Sequence, residues 1–306
     1  MLSSFFSKSK PINFIIIALY MLVFFVIAHN KIGFEFNRSY VLLFSGGLVV
    51  YVLSMLLLNY ITQRNDLTQK STHTVLLFAF LTTLIPNALT DFWIVLSNIF
   101  VLLAVMRILG LRNGKQVKSK ILDASICVGI ASLAYFWSIG FLVFVFLGVL
   151  FFEPKNYRNW IIPIIGLLIV FLFSNCFTLL FYDSFFSIPE YTDPISFSFD
   201  NYIENQQLFS FGTLSICIVF FFSIYLITFK RHSAKVKPVL NLIIAQLLIA
   251  AAIVIISPAK NTSELFFVTS PLAIIGTTYL ELEYSKLVKE FNIWVFLLLP
   301  FTILLF

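Results

Sequence analysis

The stretch Ile12-Asn13-Phe14-Ile15-Ile16-Ile17-Ala18-Leu19-Tyr20-Met21-Leu22-Val23-Phe24-Phe25-Val26-Ile27-Ala28 carries no charge, and Lys8 and Lys10 precede it. A bilayer core about 30 Å thick needs roughly 20 helical residues. Inside it only helices and closed barrels satisfy their own backbone groups. The stretch therefore predicts a membrane helix opening at Pro11, where a missing N–H costs nothing. Its ending Val26-Ile27-Ala28-His29 also fits the small-residue rule for signal cleavage. The later segments need the orientation it sets, so it is read as an uncleaved signal-anchor. Leu2, Phe5 and Phe6 ahead of it, within segment 1–11, read as a cytoplasmic interfacial anchor.

Similar runs recur along the chain: Tyr40 to Tyr60, Thr74 to Ile85, Phe92 to Leu109, Ile121 to Trp137, Phe141 to Phe152, Trp160 to Phe181, Leu208 to Phe229, Val239 to Ile256, Leu265 to Tyr279 and Phe291 to Phe306. With the first they make eleven. Lys and Arg are retained on the cytoplasmic side in short loops. An N-terminus inside places Lys8, Arg64, Arg112, Lys118, Lys155, Arg158, Lys230, Lys237 and Lys286 together, leaving Lys31, Arg38 and Lys260 outside. The expected fold is all-α: one membrane domain over 1–306, a polytopic bundle of about eleven spans, N-terminus cytoplasmic and C-terminus outside. Thr74 to Ile85 and Phe141 to Phe152 are short, and either span fully or re-enter.

Of 306 residues 60% are hydrophobic and 11% charged, against roughly a quarter charged in soluble domains. The net charge of +6 would invite nucleic acid if the cations shared one soluble face. They are dispersed between apolar runs, so no nucleic-acid partner is expected. Cys127, Cys176 and Cys217 lie in apolar runs without metal-ligand spacing, so no metal site is expected and the cofactor stays unknown. Walker A, GxGxxG, HExxH and GxSxG motifs are missing. Residue usage rich in Phe, Ile, Lys and Asn points to an AT-rich bacterial genome and hence a bacterial cytoplasmic (inner) membrane.

The long outward loop 182–207 carries Asp183, Glu190, Asp193, Asp200 and Glu204 and no Lys or Arg. Loops of this length between spans are often functional. It reads either as a self-solvating outward loop or as a lid, with Phe185, Phe186, Tyr191, Phe197 and Phe199 resting over a cavity. Ionisable residues in the runs all lie near ends: Asp91 as the N-cap of the fourth run, Asp123 as a cap or an Arg107 partner, Glu264 as a cap of the tenth. The first outward loop holds His29, Lys31, Glu35 and Arg38, and its His and Glu could face a cavity shared with Asp91. Glu35, Asp91 and Asp183 are the catalytic candidates; His29, Arg38, Glu190, Asp193 and Lys260 are the binding candidates. Asn87, Asn98, Asn175, Asn241 and Gln246 read as interhelical glue.

Phe5-Phe6-Ser7-Lys8-Ser9-Lys10-Pro11-Ile12-Asn13, Ile121-Leu122-Asp123-Ala124-Ser125 through Ala134-Tyr135-Phe136-Trp137, and Tyr157-Arg158-Asn159-Trp160-Ile161-Ile162-Pro163 resemble an uncharacterised family of bacterial multi-pass membrane proteins. In topology the chain is also similar to GT-C glycosyltransferases and O-antigen polymerases. That resemblance implies envelope glycan or lipid-linked precursor metabolism, a polyprenyl-linked or other lipidic ligand, and an outward carboxylate as base with Arg38 or Lys260 near a phosphate. It departs in its short first outward loop, which offers only Glu35, and in a long loop without arginine. A permease for a small or lipidic solute and a non-catalytic subunit bound to an envelope-complex protein are the alternatives.

Overall fold

The computed structural model describes residues 6, 9–33, 37–69, 71–187, 191–192, 194–199, 202, 204–229, 236–258, 260–282 and 286–302. Within them the regular structure is helical: α1 Pro11–Ile32, α2 Arg38–Arg64, α3 His73–Thr83, α4 Pro86–Thr90, α5 Phe92–Leu109, α6 Val117–Ala134, α7 Leu142–Phe152, α8 Arg158–Tyr182, α9 Asn205–Phe229, α10 Lys237–Ile256, α11 Phe266–Glu281 and α12 Lys286–Thr302. Short 3-10 turns sit at Gly110–Asn113, Phe136–Phe141 and Ser263–Leu265. Over its described residues, each apolar run of the sequence falls mostly on a helix. Six helical segments are long and apolar enough to cross a membrane: Pro11–Lys31, Arg38–Arg64, Phe92–Asn113, Tyr157–Tyr182, Asn205–Phe229 and Lys237–Ile256. Shorter apolar helices cover His73–Thr83, Phe136–Phe152 and Glu290–Thr302.

The short helices matter most to the architecture. Every residue of α3 is buried, and so is all of α11 up to Leu280. A helix apolar all round must be covered on all sides. Accordingly α3 is packed by α1, α2, α4, α11 and α12, and α11 by α3, α5, α9 and α10. Hydroxyls and amides link these walls: Thr277 Oγ1 donates to Thr74 Oγ1 at 3.1 Å, Gln246 Nε2 to Ser270 Oγ at 3.2 Å, and Tyr51 pairs with Thr82. Gln246 thus acts as the glue expected of it. Asn98, expected to do the same, is wholly buried with neither amide atom partnered among the described residues.

At the end of the bundle carrying Glu281, that carboxylate accepts from Gln69 N at 3.0 Å and Ser71 Oγ at 2.9 Å. Phe6 is buried in the core, and its carbonyl accepts from both Thr72 N and Thr72 Oγ1. This residue of segment 1–11 therefore packs against protein, not against a leaflet as its amphipathic context implied. Asp123 also differs from expectation. Since α6 begins at Val117, Asp123 lies past the first turn and caps nothing; it pairs instead with Arg107 Nε at 3.4 Å, the alternative the spacing allowed.

Candidate functional site

At the opposite end, α1, α2, α4, the start of α5 and the turn before α11 enclose a cleft of about 470 Å³, lined by Phe25, His29, Tyr40, Asn87, Asp91, Trp93, Asn261 and Ser263 among others. Its floor includes Gly47, where a Cβ would meet Phe25 Cζ at 3.4 Å and Phe92 Cδ2 at 3.6 Å. A larger side chain there would enter the cleft.

Asp91 has extended backbone, and its Oδ1 accepts from Trp93 N at 3.0 Å and Ile94 N at 3.3 Å, the arrangement of an N-cap. The capping read from the sequence and a place in the cleft are therefore both true of this residue. Burial pushes its carboxyl above the usual carboxylate range, and the two amide bonds partly oppose that. Among the described residues, Oδ2 accepts no hydrogen bond. His29 sits opposite, where Nδ1 lies 3.0 Å from the Phe25 carbonyl oxygen. A carbonyl only accepts, so Nδ1 carries the proton, and in a neutral ring Nε2 is then the acceptor. Phe25 and Phe44 pack against this imidazole at 4.3 and 4.9 Å between centroids.

The cleft's far wall is held by Asn87, whose Nδ2 donates to Asn261 O at 2.9 Å and to Thr262 Oγ1 at 3.3 Å. Thr262 has φ +72°, a left-handed conformation that costs a β-branched residue energy. The strained turn places Ser263 with its Oγ buried and without a hydrogen-bond partner among the described residues.

Behind that turn lies a charged cluster. Lys260 and Glu264 are both wholly buried. Lys260 Nζ donates to Ser196 O at 2.8 Å and stands 3.9 Å from the Phe199 ring centroid. Tyr202 donates its hydroxyl to Glu264 Oε1 at 2.5 Å. Loss of solvent pushes the Glu264 carboxyl up, while the Tyr202 hydrogen bond and the nearby Lys260 charge partly oppose it. Ser196, Phe199 and Tyr202 all come from the long loop, which is therefore anchored on a buried post.

Of the candidates, His29 and Asp91 both line the cleft. Arg38 is exposed at the start of α2, outside the cleft lining. Asp183 is exposed at the C-terminus of α8 with φ +51°, where it ends the helix. Lys260 is committed to the loop. Glu35, Glu190 and Asp193 lie outside the described residues. Glu264 does not cap α11 as the sequence implied: no side-chain cap is made there, and its carboxylate serves the cluster instead. Tyr202, Tyr40 and Ser263 carry no signal of the site in the sequence, and Asn261 stands out there only as an outward N-x-S sequon. The Asn261-Thr262-Ser263 run of small polar residues between two apolar runs is the sequence signal of that turn.

A model of a family of unknown function, DUF6427, matches residues 1–306. No curated protein and no solved structure matches the chain.

Proposed function

The chain belongs to DUF6427, and from that premise we propose that it is a multi-pass membrane protein that binds the polyhydroxylated headgroup of a lipidic ligand in the His29–Asp91 cleft. Such binding would place it in envelope glycan or lipid-linked precursor metabolism. On this reading the cleft faces outward from a bacterial cytoplasmic membrane. The eleven helical runs are then the spans or re-entrant pieces of one bundle, with the N-terminus inside.

The observation that carries the proposal is the chemistry of the lining. Phe25, Phe92 and Trp93 line the cleft together with Asp91, His29, Asn87 and Ser263, whose hydroxyl has no hydrogen-bond partner among the described residues. Flat apolar walls with a few convergent polar groups are what a small-molecule site requires. Aromatic faces suit the C–H face of a sugar ring, while a carboxylate and an amide suit its hydroxyls. Among the described lining residues there is no Lys or Arg, so the lining favours a neutral headgroup over a bare phosphate. A central solute path is supported less well, because the wholly buried α3 and α11 fill the middle of the bundle.

Native mass spectrometry with lipid extraction, on protein purified gently from its own membrane, tests this. A retained sugar-bearing or polyprenyl-linked lipid, lost from Asp91→Asn and from Trp93→Ala at unchanged fold, is the expected result. Ordinary phospholipid alone, equally retained by both variants, overturns it.

A further inference from the structure

A second cavity, of about 330 Å³, lies between α6 and α8 and is almost wholly apolar; Leu133, Phe136, Ile139, Leu168, Phe186 and Tyr191 are among its lining. We propose that it is a binding site for one hydrocarbon chain of a membrane lipid. This does not rest on the reading of the polar cleft.

The cavity has built walls and a built roof. Two close approaches hold α6 against α8. A Cβ on Gly129 would lie 2.8 Å from Val170 Cγ2, and one on Gly166 would collide with Ser125. Small residues of this kind let membrane helices approach closely. In the turns beyond, Ser132, Leu133 and Phe136 face Phe171 and Ser174 across the cavity. Phe186 and Tyr191 from the long loop cover it. The Phe186 amide donates to Asn175 Oδ1 at 3.2 Å, and the Tyr191 hydroxyl donates to the Leu133 carbonyl. Tyr191 also packs on Phe186 and Phe136 at 5.5 and 6.5 Å between centroids. Farther along, the same loop is tied to buried Lys260 and Glu264.

The occupant follows from what lies on the open side. α8 is long and apolar enough to span a membrane, and only 17% of the residues in its apolar stretch are buried. Its Ile164, Leu168 and Phe171 line the cavity and are each more than 40% exposed. In a bilayer that side faces acyl or isoprenoid chains. An apolar void gains dispersion contacts when such a chain fills it, whereas water finds few polar partners there.

The full chain in mild detergent, titrated with a phospholipid whose acyl chain carries a terminal diazirine, provides the test. After irradiation, peptide mapping should find adducts at Leu133, Phe136 and Ile139 that saturate near one probe per chain. Adducts at the exposed α9 residues Ile216 and Val219 should rise without saturating. In Ser132→Trp, which fills the cavity, the saturable adducts should fall about tenfold while those on α9 stay unchanged. Saturation on the native chain decides the matter even where that variant folds poorly. Non-saturating labelling at all positions, labelling indifferent to Ser132→Trp in a folded variant, or a stoichiometric protein helix occupying the cavity would each overturn the proposal.

Discussion

The hydroxyl of Tyr202 meets Oε1 of Glu264 at 2.5 Å, joining the long loop to a carboxylate that has no access to solvent. Desolvation raises the Glu264 carboxyl, so the fold favours its protonated form. A group shifted in that direction stabilises fully below its unfolded value, about 4.3 for glutamate. The contribution is lost as pH rises through the higher folded value. Asp91 is shifted in the same direction, so the informative quantity is the difference between native chain and variant. Glu264→Gln, which keeps an acceptor for Tyr202, should flatten the decline of thermal stability with rising pH and be at least as stable as the native chain near neutrality. An unchanged slope together with lower stability would reject this account.

Tyr202→Phe removes a hydrogen bond to an acidic group, an interaction worth roughly 1.5–3 kcal/mol when its acceptor is charged. The loop should respond locally before the bundle does. Hydrogen exchange in 194–199 is expected to rise while exchange in α3 and α11 stays slow; equal acceleration in both would show that Tyr202 holds no separable anchor.

Lys260→Met deletes a wholly buried charge that holds the Ser196 carbonyl and the Phe199 ring. No ion pair joins Lys260 and Glu264 among the described residues, but the cation partly opposes the upward shift of that carboxyl, so its loss both releases the loop and favours the protonated acid further. The double variant Lys260→Met/Glu264→Gln should recover part of the loss near neutrality, because a neutral amide replaces a carboxyl that the missing cation no longer helps to ionise. Thermal unfolding of the single and double variants measures the coupling, and strictly additive losses would show that the two charges do not interact.

The helices were legible because stretches long and apolar enough to cross a membrane stand out as runs, and each run is helical over most of its described residues. Which runs would be interior was not legible from periodicity. His73–Thr83 and Phe266–Glu281 are apolar on all sides, and only the packed structure shows them as the wrapped centre. The cleft was half legible. His29 and Asp91 stood out as ionisable residues at run ends, and their convergence was anticipated from loop proximity. Glu264 misled because the pattern Ser263-Glu264 before a helix is also what a cap looks like; the partner that redirects it, Tyr202, is 62 residues away. Lys260 read as an outward cation, since sequence spacing gives no hint that Phe199 would cover it.

Asp91 allows capping and ligand binding to be separated. Asn is as good an N-cap as Asp, whereas Ala at an N-cap costs about 0.5–2 kcal/mol. Asp91→Asn should therefore keep thermal stability within a few tenths of a kcal/mol while losing the retained headgroup lipid, and Asp91→Ala should lose both. If Asp91→Asn retains the lipid fully, the carboxylate serves the helix alone.

Arg107 and Asp123 supply the converse case. Their contact of 3.4 Å joins α5 to α6, but the side chains are 47% and 38% exposed, and ion pairs that solvent reaches contribute about 0–1 kcal/mol. Neither residue lines the cleft or the apolar cavity. Arg107→Gln and Asp123→Asn should each lower yield or melting temperature slightly and leave lipid retention untouched. Because the residues act as a pair, the double variant should be no worse than the sum of the singles. A cellular defect at normal protein level would instead assign this pair a role that its position between two helices does not explain.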